Sequence, residues 1–230
     1  MGVGKFIHHI GTFLLFVSFV LLIVVDITAP VINNLSIMKV DLGRNRAGAD
    51  QVTFGTFGYC LRGIDDSDEC THSRIGYDPA NLMNRLDGTD FGDASATTAK
   101  GLTRVMVLHP VATGLCFIAC LLCIFTGTVG SFLASLVSLI TFVVTLVAMV
   151  CDFVTFSIIK HDVNQNGVST ASWGSGIWLI LASAIFTLLG AAIVFVTCCC
   201  ARKKKSSERQ KESWNETTTT PASGRKRRFW

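Results

Sequence analysis

From residue 111 to residue 151 the chain carries no Asp, Glu, Lys, Arg or His. Forty-one consecutive uncharged, largely apolar residues leave few folds open. A helix that crosses a bilayer needs about 20 of them, so the stretch is too long for one span and fits two joined by a tight turn. Gly127, Gly130 and Ser131 lie where that turn would fall, which gives expected spans over residues 111–130 and 132–153. Two further apolar runs flank the pair: residues 6–25, closed by Asp26, and residues 177–197, closed by a cysteine triplet and a basic cluster. The chain reads as an all-α membrane protein, a four-transmembrane helix bundle. The first run is read as a span and not as a cleaved leader. It exceeds a typical signal core, and cleavage after Ala29 would face Pro30 without a small-x-small pattern.

Composition excludes the alternatives. Half of the residues are hydrophobic and 16% are charged, against about a quarter charged in soluble domains. No segment repeats at a fixed period, so a solenoid is excluded. Charge then orients the bundle. The tail from residue 201 carries ten Lys and Arg against three Glu, whereas residues 26–109 carry eight basic and eleven acidic residues. Basic residues collect on the cytoplasmic side, which places the tail inside. Four spans bring residues 1–5 inside as well, and residues 26–110 become a long extracellular loop. Residues 154–176 form a second, shorter outer loop, and residues 198–230 a basic cytoplasmic tail. The partners implied are the lipid bilayer and anionic inner-leaflet lipids; no nucleic acid is implied.

The cysteines fall into three groups. Cys60 and Cys70 share the outer loop, where oxidising conditions favour a disulfide over two free thiols. Their bond would close an 11-residue ring and stabilise the folded loop by roughly 3 kcal/mol. Cys198, Cys199 and Cys200 stand beside Arg202, Lys203, Lys204 and Lys205 at the inner surface, an arrangement suited to S-palmitoylation reinforced by polybasic attraction. Cys116, Cys120, Cys123 and Cys151 lie inside the spans, and the first three share one face of the second. Cys120 and Cys123 formally make a CxxC, but a redox cysteine needs thiolate character and access. Near mid-bilayer, packing is the better reading, and no cofactor is implied.

Ionisable residues at membrane depth mark transporters and channels. His8 and His9 lie near the inner edge and Asp26 and Asp152 near the outer edge, so snorkelling and capping account for them. Small residues recur along Ser131, Ser135 and Ser138 and along Ser183, Thr187 and Ala191. Such faces pack helices closely, within this bundle or against another membrane protein. Self-association stays open.

In the outer loop, residues 51–59 (QVTFGTFGY) are β-prone, and Gly63, Asp65, Asp66, Ser67 and Asp68 read as a turn cluster. A small disulfide-pinned, β-rich extracellular loop on the bundle follows. The run Gly55, Thr56, Phe57, Gly58, Tyr59, Cys60, followed by Cys70, resembles the G-L-W-x-x-C…C signature of claudin-type loops, with Phe57 at the tryptophan position. A closer resemblance is to the fungal PalI family of ambient-pH response regulators. It is carried by FGTFGYC at 54–60, CTHSRIGY at 70–77, LHPVATGL at 108–115, the apolar run 129–154, and the cysteine-basic junction at 198–205. That family is related to eisosome-associated four-span proteins.

The resemblance implies a non-enzymatic plasma-membrane accessory protein of alkaline-pH signalling, with both termini cytoplasmic. Its partner would be a seven-span pH sensor that it helps to localise or stabilise. Two rival roles are a structural organiser of cortical membrane domains or cell-wall stress sites, and a membrane thiol oxidoreductase using Cys120 and Cys123. His72, His109 and His161 are expected to face outside, solvated or, for His109 before Pro110, capping a helix. Asn34 begins a glycosylation sequon close to the membrane, and Asn215 begins another on the inner side.

Overall fold

The computed structural model describes residues 3–218, apart from residue 33 and segments 44–47, 65–66, 125–127 and 166–167. Four long apolar helices build the bundle: α1 (Val3–Asp26), α4 (Leu108–Ile124), α5 (Thr128–Gln165) and α6 (Ser175–Thr218). They contain or extend four stretches long and apolar enough to cross a membrane, Phe6–Asp26, Asp93–Ile124, Phe132–Gln165 and Ser175–Cys199, the second of which takes in α4 together with the helical residues before it. Helices satisfy their own backbone hydrogen bonds, which lipid cannot do for them. α1 packs against α4 and α6, and α5 packs against the same two, so the four close into a ring.

Small and hydroxyl residues hold this ring together. The Ser18 hydroxyl of α1 donates to the Ser183 carbonyl of α6 at 2.9 Å and lies 2.6 Å from the Thr187 hydroxyl. Gly11 packs under Ile193 across the same seam. Ser135 and Ser138 of α5 are buried as well. These small faces therefore serve packing within the bundle.

The remaining elements form a cap at one end. Strands β1 (Met38–Asp41), β2 (Gln51–Phe54), β3 (Tyr59–Ile64), β4 (Ser67–Cys70) and β5 (Thr170–Trp173) make an antiparallel sheet in the order β4-β3-β2-β1-β5. Met38, Val40, Val52 and Phe54 point inward from β1 and β2. Two helices, α2 (Pro79–Asp87) and α3 (Asp93–Val105), complete the cap. α2 starts on an Asp78 side chain that accepts from the Asn81 amide, with Pro79 at its first turn, and it ends at Gly88 with φ 75°.

Three features depart from the sequence expectation. α4 ends at Ile124 and α5 already includes Gly130 and Ser131, while Gly127 lies outside the described residues. α5 also continues to Gln165, well beyond residue 153. Its Phe156, Ile159 and Val163 recur at helical spacing, are fully buried, and join the cap's hydrophobic core. The expected second outer loop is thus largely helix plus strand β5. Finally, α2 and α3 lie in the long loop, where the sequence reading placed only strand and turns.

Candidate functional site

Where α1 ends, its last carbonyls have no helical partner. The structure meets that need with the loop motif. The Val25 carbonyl accepts from the Thr28 hydroxyl at 2.8 Å and the Thr56 hydroxyl at 2.9 Å. The Thr56 amide in turn donates to the Thr28 hydroxyl at 3.1 Å. Gly55 lies directly on the Ala29 backbone, so a Cβ there would overlap it. A Cβ on Gly58 would come within 2.6 Å of the Thr71 hydroxyl and 3.2 Å of the Pro30 ring. The two glycines of the motif are spacing residues: they let the β2–β3 connection clamp the chain as it leaves α1.

The aromatic residues finish the clamp. Tyr77 is buried, and its hydroxyl donates to the Gly55 carbonyl at 2.8 Å. Burial pushes its phenol well above the ordinary value, and the negative charge of Asp152 adds to the shift. Tyr59 is half-buried with its ring 6.3 Å from those of Phe54 and Tyr77, while Phe57 is half-buried and its carbonyl accepts from the Arg74 amide. Cys60 and Cys70 are directly opposed on β3 and β4 and are joined by a disulfide, Cα to Cα 4.0 Å.

Below the clamp lies a group that the sequence reading missed. His109, in the first turn of α4, is fully buried, and its Nε2 sits 2.7 Å from Oδ2 of the equally buried Asp152 on α5. Beside them the Thr113 hydroxyl is 2.7 Å from Asp26 Oδ2 and 3.0 Å from the His109 carbonyl. The solvated or capping role expected of His109 is therefore wrong, as is snorkelling for Asp152: each is the other's partner. The signal was present in the sequence as one histidine and one carboxylate, each beside an apolar span at the same end. His72 and His161 are exposed, as expected.

The other expected sites are scattered. Asn34 is exposed, and its side-chain oxygen accepts from Arg62 at 2.7 Å. Cys198 is buried and Cys199 exposed. The side chains of Cys200, Arg202, Lys203, Lys204 and Lys205 lie outside the described residues, as do those of Asn215 and Thr217 and all of the tail beyond residue 218. Cys116, Cys120 and Cys123 are buried in the bundle, where the Cys116 thiol donates to the Leu15 carbonyl at 3.3 Å.

A four-helix membrane protein with a disulfide-pinned sheet clamped to its first helix is the class that this architecture defines. Residues 7–190 match the family model described as the SUR7/PalI family, and the chain belongs to that family. It is 30% identical over 99 residues to the pH-response regulator protein palI/prr-5 of Neurospora crassa, covering 43% of this chain and 13% of that one. It is 28% identical over 107 residues to the pH-response regulator protein palI/RIM9 of Emericella nidulans, covering 46% and 17%. It is 26% identical over 184 residues to the Saccharomyces cerevisiae membrane protein TOS7, covering 78% and 30%. The chain thus spans less than a third of the length of each of these relatives.

Proposed function

We propose that this multi-pass membrane protein is a non-enzymatic accessory component of ambient alkaline-pH signalling, helping a seven-span pH sensor to reach or stay at the plasma membrane. The observation that carries the reading is the family match over residues 7–190, together with two relatives named as pH-response regulators. The cap faces outward and both termini face the cytoplasm, in keeping with the ten basic residues of the tail. Tail anchoring uses Cys199, whose side chain is exposed, with Arg202, Lys203, Lys204 and Lys205 as the electrostatic partner of anionic lipid.

The burial of Cys116, Cys120 and Cys123 among apolar neighbours speaks against redox cycling. The test is the surface density of a tagged sensor in cells with and without this gene, moved to alkaline medium. Loss of the sensor from the surface is expected when the protein is missing. Unchanged sensor density with unchanged alkaline growth would defeat the proposal and leave the organiser of cortical membrane domains as the better account.

A further inference from the structure

We propose that His109, paired with Asp152 and flanked by Asp26, is a buried proton-binding site at the foot of the cap, and that its occupancy sets how firmly α4 is held in the bundle. The existence of the site is independent of the signalling role; only its use in alkaline sensing rests on that reading.

The geometry assigns the protons. At 2.7 Å from a carboxylate oxygen, His109 Nε2 carries its hydrogen. The second ring nitrogen, Nδ1, is buried and has no hydrogen-bond partner among the described residues; the same holds for Asp152 Oδ1 and Asp26 Oδ1. The exchangeable proton therefore belongs on Nδ1. With it, His109 is an imidazolium facing a carboxylate. Without it, Asp152 keeps one hydrogen bond and no countercharge.

Among the described residues, the surroundings supply no other cation. α4 packs against α1 and α5. α1 contributes Asp26, whose charge acts on His109. α5 contributes Asp152 and the neighbouring thiol Cys151. The cap contributes Tyr77, whose phenol is neutral and committed to Gly55. Arg104 of α3 is exposed and lies over Gly76, and α6 has no ionisable residue between Ser175 and Thr197.

His109 is the cation of a site holding two carboxylates, and no group of three His, Cys, Asp or Glu among the described residues is placed to hold a metal ion instead. Asp26 is half-buried at the end of α1, and Thr113 stands between its carboxylate and the backbone carbonyl of His109. Losing the Nδ1 proton leaves the buried Asp152 carboxylate without a countercharge in a poorly solvated place, where an unpaired carboxylate is costly. The imidazolium form is thus the stabilised one. Its contribution is present at low pH and disappears as pH rises through the apparent pKa of the pair.

The test uses the full chain in lipid nanodiscs, with histidine rings labelled by nitrogen-15. The chain has five histidines. His109→Gln identifies which ring signal is His109, and that signal is expected to report a one-proton transition at Nδ1 while Nε2 stays hydrogen-bonded. Thermal stability of the same sample should fall with rising pH, the unfolding constant approaching about a tenfold change per pH unit. Should that variant fail to fold, His109→Gln with Asp152→Asn replaces the ion pair by an amide pair, and its stability should no longer carry that slope.

A His109 ring that keeps one protonation state across the range, or a double variant with the wild-type slope, overturns the proposal. The sensor-density experiment fails separately. A titrating His109 in a protein whose absence leaves alkaline growth unchanged sustains the proton site and defeats only the signalling role.

Discussion

At the level of single residues, the junction between α1 and the cap depends on groups that tolerate little change. Tyr77 is the clearest case. Its hydroxyl has one acceptor, the Gly55 carbonyl, and its ring stacks at 6.4 Å on Phe54. Ionising it would place an anion in an apolar pocket near the Asp152 carboxylate, which is why its phenol is held above the ordinary range. A folded-state pKa raised above the unfolded value near 10 means that the neutral phenol stabilises the fold up to about that pH, and that the contribution is lost above it. The chain has two tyrosines. In a Tyr59→Phe variant, absorbance at 295 nm should therefore show no phenolate until the cap opens, with titration and unfolding coinciding above about pH 10. A phenolate signal rising in a still-folded protein would contradict the buried hydrogen bond.

At the level of elements, the cap behaves as a graded sheet. β4 joins it only through β3, and the Cys60–Cys70 disulfide closes that pair. Replacing both cysteines with serine removes a constraint worth roughly 3 kcal/mol for an 11-residue ring. Hydrogen exchange should therefore quicken first in β3 and β4 and least in β1 and β5, while the bundle helices keep their protection. Uniform loss across all five strands would mean that the disulfide holds the whole sheet.

How much of this was legible in the sequence divides along physical lines. The spans, the strand at 51–54 and the paired cysteines announce themselves by local composition and alternation. The continuation of α5 does not, because Lys160 and Asp162 break the apolar run. Only the spacing of Phe156, Ile159 and Val163 reveals that the helix turned amphipathic and went on. Lys160 is not wasted there, since its ammonium lies 5.2 Å from the Trp173 ring. The His109–Asp152 contact, 43 residues apart, depends on two helices meeting at one height. Periodicity within either helix carries no such information.

At the level of the whole molecule, α6 runs for 44 residues, about 66 Å at 1.5 Å per residue, and so outreaches a hydrocarbon core about 30 Å thick. Its later turns project beyond the bilayer on the side opposite the cap. If the cap is outside, a membrane-impermeant thiol reagent should label the exposed Cys199 only after cells are permeabilised, once any acyl group has been removed with hydroxylamine. Labelling of Cys199 on intact cells would invert the proposed orientation.

The sheet order has one more consequence, in time and not in space. β1 pairs on one side with β2 and on the other with β5, so Met38 meets Trp173 and Asp41 meets Thr170. During synthesis, the first four strands emerge together and can pair at once, but β1 then presents a bare edge with unsatisfied amides. That edge stays open while α4 and α5 are made. Only when residues 170–173 arrive, just ahead of α6, can it close. A nascent chain therefore carries an open strand edge at the cap until the last stretch before α6 has been threaded into place.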